Sequence, residues 1–167
     1  MRPGLFLLSA TVLALAGAGE ARAARIGELV VRPGNGGVPC FTVSEAEEKR
    51  GGAPSFQSIT VSEVGLGRAT MWSMALPSER TFAVTFQMCV PYAGRLPVLP
   101  QKPAAALQPG RVYEVAIEAR GPFARSAPRS YRAHFCLQKD AQGAPAQGAP
   151  APVTLAPDSR QRYACGA

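Results

Sequence analysis

"TFAVTFQMCVPYAG", residues 81–94, is the stretch on which the architecture turns. Its apolar residues alternate: Phe82, Val84, Phe86, Met88 and Val90 share one parity, as the buried face of a strand requires. The reading is a single strand over 81–90 that stops at Val-Pro-Tyr. Cys89 falls on the opposite parity, with Ala83, Thr85 and Gln87. Whether it is a nucleophile, a metal ligand, a core residue or half of a crosslink depends on the compartment.

The N-terminus bears on that. Arg2 is followed by the uncharged run "LFLLSATVLALAGA" and then by "ARA" at 21–23. A charge, a short apolar segment and small residues at a cleavage site make up a secretory signal. The expected arrangement is a signal peptide over 1–23, a β-sandwich domain over 24–138, and a low-complexity loop with a disulfide-tethered tail over 139–167. The apolar run falls short of the ~20 residues a span needs, so no integral membrane span is expected after cleavage. "LAGA" at 15–18 has the shape of a lipoprotein signal, but Ala18 stands where the lipidated cysteine would be. The expected location is therefore periplasmic or secreted.

Working outward, short strand signals recur between glycines and prolines: 27–32, 39–43, 57–64, 68–75, 111–119 and 130–138, with a weaker one at 152–155. Such spacing predicts an all-β fold, specifically an immunoglobulin-like antiparallel β-sandwich with two disulfides. Tyr113, Val115, Ile117 and Ala119 share a face, as do Tyr131, Ala133, Phe135 and Leu137. Ile59, Val61, Trp72 and Met74 are expected on the facing sheet, with Trp72 in the core rather than at a binding surface. "SEAEEKR" at 44–50 suits one helical turn, stopped by Gly-Gly. "AQGAPAQGAP" at 141–150 repeats a five-residue unit and reads as a flexible loop.

The four cysteines, Cys40, Cys89, Cys136 and Cys165, all follow the export segment. An even count in an oxidising compartment predicts two bridges. The chain has no CxxC, so neither a thioredoxin-like motif nor a zinc knuckle has its spacing. Parity places Cys40, Cys89 and Cys136 away from the predicted core, on outer faces. Of three possible pairings, Cys40–Cys89 and Cys136–Cys165 are favoured. Cys40 and Cys89 adjoin prolines at a strand's start and end, and Cys165 lies in a tail that needs tying down. The other pairings stay open.

Catalytic chemistry is sparse. His134 is the sole histidine, and it is expected beside Arg132, Glu114 and Glu118 as a cross-strand polar cluster. No nucleophile elbow accompanies it, so the chain is not read as an enzyme. Glu45, Glu47 and Glu48 lack calcium-loop spacing and read as a solvated loop. No metal or other cofactor is expected. The formal charge is +7, carried mostly by arginines scattered among glutamates. That pattern suits a solvated surface better than nucleic acid.

"VPCFTV", "MWSMAL", "CVPYAG", "LQPGRVYEVAIEA" and "YRAHFCL", in that order, resemble the immunity lipoproteins associated with bacterial type VI secretion. The resemblance spans most of residues 26–138. It implies a small periplasmic β-sandwich that neutralises a toxin delivered by neighbouring cells. The function expected is an exported protein-binding module, its partner another protein such as a toxin effector. The alternative is a structural or assembly accessory of the cell envelope or of a surface appendage. Loops at one end of the scaffold are the expected contact surface, in the Pro-rich 96–110 segment and in "GPFARSAPR" at 121–129, with Phe123 and Arg125 as candidate anchors.

Overall fold

The computed structural model describes residues 25–65, 67–94, 99–120 and 127–139, together with the backbone of three strands between 145 and 165. Among these residues the elements in chain order are β1 (Ile26–Pro33), β2 (Pro39–Val43), α1 (Glu45–Gly51), β3 (Ser55–Glu63), β4 (Thr70–Ala75), β5 (Phe82–Ala83), β6 (Val90–Pro91), β7 (Gln101–Lys102), β8 (Val112–Ala119), β9 (Ser130–Lys139), β10 (Pro145–Ala151), β11 (Val153–Leu155) and β12 (Tyr163–Cys165).

The all-β expectation holds, but the arrangement differs from two facing layers. A ten-stranded sheet in the order β6-β2-β1-β9-β8-β3-β4-β7, with β10 on β9 and β5 on β3, curls into a half-barrel. Ile59 and Val61 are therefore hydrogen-bonded neighbours of Ile117 and Val115, not residues of an opposite sheet. Curling brings the inward faces together all the same. Ile59, Val61, Trp72, Met74, Tyr113, Val115, Ile117, Tyr131 and Phe135 are all buried in the core. At about 1.5–3 kcal/mol for each large side chain removed from water, this cluster is the main stabilising term.

One pairing is parallel. β1 runs alongside the start of β9, with Gly27 opposite Tyr131. A Cβ on Gly27 would lie 2.3 Å from Tyr131 Cδ1, so the buried Tyr131 ring occupies the space that a side chain on β1 would need. Further along, β1 leaves β9 to pair with β2, and β10 takes its place against Leu137 and Cys136. The 141–150 repeat, read as a loop, thus supplies a strand: β9 still had unpaired backbone groups there, and extended Ala-Gly-Pro backbone can satisfy some of them.

The largest departure is in the opening stretch. Residues 81–90 are not one strand. Phe82–Ala83 pairs with the start of β3, and Val90–Pro91 pairs with β2 at the far edge of the sheet. Between them the chain turns, with Met88 N donating to Thr85 O at 3.0 Å. The turn is held from outside its own sequence. The Thr42 hydroxyl donates to Thr85 O at 2.9 Å, Phe86 N donates to a Glu48 carboxylate oxygen at 2.6 Å, and the Arg32 guanidinium lies 4.0 Å above the Phe86 ring. Parity consequently fails after Val84. Val84 and Val90 are buried, but Met88 is 44 % exposed.

Beyond β6 the chain packs against β4. Tyr92 packs edge-on against Trp72, with centroids 5.6 Å apart. Its hydroxyl donates to Ala105 O at 2.7 Å, with Met71 O at 3.3 Å. The Pro-rich segment continues along β4, where Ala75 N donates to Pro100 O and Ala105 N to Met71 O. Prolines have no N–H to offer a further strand, so this segment covers an edge that would otherwise be open to pairing.

Candidate functional site

Cys40 and Cys89 form a disulfide with Cα atoms 5.5 Å apart. This answers the question raised by Cys89: it is half of a crosslink, joining the closing segment to β2. The parity argument was right for Cys89, which is exposed, and wrong for Cys40 and Cys136, which are 5 % and 0 % exposed. The physical reason is that both faces of their strands are covered. Every residue of β2 is buried, because the 85–91 segment caps its outer face. In β9, Phe135, Cys136 and Leu137 are consecutively buried, and the paired strands β11 and β12 lie nearby. The second expected bridge, Cys136–Cys165, involves a side chain outside the described residues, and one disulfide rather than two is described. No described cysteine is a free thiol.

His134 lies in the cross-strand polar cluster expected of it, and the register sets it directly opposite Glu114. Its Nε2 is 3.4 Å from Glu114 Oε2, and Arg132 Nη1 is 3.3 Å from Glu114 Oε1. Ser130 donates to Glu118 at 2.9 Å. Partial burial pushes the His134 pKa below its ordinary value; Glu114 opposes this, and Arg132 and Arg68 add to it.

The acidic cluster is not the solvated loop that was expected. Ser44 caps α1 by accepting from Glu47 N at 3.2 Å. That fixes Glu47 on the inner side of the helix, where it is 6 % exposed. Arg25 clamps its carboxylate with two bonds, at 2.5 and 2.8 Å, and Arg50 adds a third at 2.9 Å. The hydrogen bond from Arg25 holds the Glu47 carboxyl below its ordinary pKa, against the effect of burial.

Both groups therefore make stability pH-dependent in the same direction. The depressed His134 value means that the unfolded chain takes up a proton more readily below about pH 6.5, so stability falls as pH drops through that region. The Glu47 contribution is fully present above the ordinary carboxylate range, near pH 4.3, and is lost as pH falls through its lower folded value. Urea unfolding at pH 7.5, 5.5 and 3.5 should show two successive losses. His134→Gln should remove the first and Glu47→Gln the second. An unchanged pH profile in either variant would show that the corresponding group is not the source.

The end of the half-barrel at which β9 begins gathers cations. Ile26 pairs with Ser130, Ala119 N donates to Arg129 O at 2.8 Å, and Arg120 N donates to Ser55 O at 2.8 Å. The Arg120 guanidinium reaches Ser78 O, in the turn that carries Arg80. Ala127 Cβ lies 3.4 Å from where a Cβ on Gly51 would be, which brings the end of α1 alongside. Arg25, Lys49, Arg50, Arg80, Arg120 and Arg129 are exposed there, with Glu28, Glu45, Glu79 and Glu118 as the exposed acids and Glu47 buried beneath Arg25 and Arg50. The candidate anchors Phe123 and Arg125 lie outside the described residues, but Arg120 and Ala127, the described residues on either side of them in the chain, are at this end. The sequence reading missed this clustering because the arginines are far apart in the chain.

Among the described residues no group of three or more His, Cys, Asp or Glu side chains is placed to hold a metal ion. No described helix is long and apolar enough to cross a membrane. No family model, curated protein or solved structure matches this chain.

Proposed function

We propose that this chain is an exported protein-binding module whose contact surface is the arginine-rich end of the half-barrel, and that its partner presents an acidic face there. Toxin neutralisation is the specific form that we favour. The observation that carries the reading is the convergence of Arg50, Arg80, Arg120 and Arg129 on one end of a crosslinked scaffold. Arginine dominates binding energy more often than most residues, and complementary charge raises association rates. Arg120 and Ala127, which precede and follow the segment that contains Phe123 and Arg125 in the chain, lie at the same end. A second bridge, Cys136–Cys165, belongs to this reading of a domain built to persist outside the cytoplasm. Non-reducing peptide mapping should find that crosslink, and a free thiol at either position would remove it.

The test is protection. A candidate toxin is expressed in the periplasm with and without the protein, and the purified pair is titrated. Survival and binding should both depend on the protein. Arg80→Glu with Arg120→Glu should weaken binding at least about tenfold while leaving the circular dichroism unchanged. Equal killing in both cases, with no binding, would replace the immunity reading by an envelope-assembly role.

A further inference from the structure

We infer that the Cys40–Cys89 bridge is made and reopened through Cys89 alone, and that the apolar groove beside it seats a protein of the dithiol–disulfide oxidoreductase class. The two sulfurs are not equivalent. Cys89 is exposed, whereas Cys40 is 5 % exposed in a strand of which every residue is buried. Gly34 packs over Cys40, a Cβ there lying 3.2 Å from Cys40 Cβ. Thiol–disulfide exchange needs an incoming thiolate to reach one sulfur, and access decides which one. Here only Cys89 offers an approach.

The surroundings of Cys89 also describe the carrier of that thiolate. Cys89 lines a groove of about 270 Å³ together with Met74, Phe82, Met88, Val90 and Pro91. No charged side chain lines it. Met88, 44 % exposed, is an apolar residue in contact with water. An adaptable thioether beside an accessible disulfide suits a partner's apolar surface better than it suits a small charged thiol.

The exchange balances as a two-electron transfer. In the reducing direction a partner thiolate attacks Cys89 Sγ. The Cys40–Cys89 bond breaks, and its electron pair leaves on Cys40 Sγ, which takes a proton. The partner's second thiolate then attacks the partner sulfur of the mixed disulfide and expels the Cys89 thiolate, and the partner leaves oxidised. In the forming direction the Cys89 thiolate opens the disulfide of an oxidised partner. Cys40 then attacks Cys89 Sγ and releases the partner as a dithiol.

The experiment uses the oxidised, exported protein. Partial reduction with glutathione, acid quench and peptide mapping should place glutathione on Cys89 and a free thiol on Cys40. Glutathione found on Cys40 would overturn the assignment of the entry point. A thioredoxin-type protein with a single active-site cysteine should then be trapped as a covalent adduct at Cys89. Met88→Asp should slow that trapping about tenfold, while the glutathione rate changes by less than about twofold. Equal slowing of both reactions, or slowing of neither, would rule out the groove as a docking site.

Discussion

Replacing Cys40 and Cys89 together by alanine should lower the unfolding free energy by about 4 kcal/mol, because the bridge closes a loop spanning 49 positions of the chain and its entropy is returned to the unfolded state. Against the 5–15 kcal/mol typical of a domain, roughly speaking, that is a large share of the total. Guanidinium unfolding of the double variant and the parent measures it directly. The structure also says where the loss should be felt first. The bridge fastens the closing segment to β2, so hydrogen exchange at Phe86 and Tyr92 should quicken before that of the β8–β9 ladder. A loss below about 1 kcal/mol would show that Thr42, Glu48 and Tyr92 hold the segment without help from the crosslink.

Tyr92→Ala should cost a comparable amount, about 3–5 kcal/mol, by leaving a cavity beside Trp72 and cutting the tie to the Pro-rich segment. Burial pushes the Tyr92 phenol up to about 12, so it remains a neutral donor throughout the ordinary pH range. Tyr92→Phe separates the two contributions. It keeps the ring against Trp72 and removes only the bond to Ala105 O, for an expected cost of about 1 kcal/mol. Thermal or urea unfolding of both variants supplies the comparison, and near-ultraviolet dichroism reports the Trp72 environment. Should the two variants lose equal stability, the hydroxyl rather than the ring would carry the contribution of Tyr92.

Much of the ladder was legible from residue order. Period-2 alternation in 111–119 and 130–138 gave the buried faces of β8 and β9, because long strands half-buried in a sheet have only one way to hide their apolar side. The same parity placed His134 on one face with Arg132, Glu114 and Glu118, and "SEAEEKR" suited the single turn of α1. The pairing of Cys89 with Cys40, favoured among three because both adjoin prolines at a strand's start and end, is the one the structure has.

What residue order did not decide was everything that depended on a second covering element. Residues 82–90 alternate as well as β8 does, yet they break into two short pairings on different strands, because Thr42, Glu48 and Arg32 bend the chain around Phe86. Cys40 and Cys136 have outer-face parity and are buried all the same, since a strand's outer face is solvent only if nothing packs on it. Glu47 was indistinguishable from its neighbours Glu45 and Glu48 until Arg25, 22 positions away, closed on its carboxylate. Local pattern determined which residues face inward along a strand. Curling of the sheet, with contacts distant in sequence, decided which strands meet, which outer faces are covered, and that Cys89 rather than Cys40 faces the solvent.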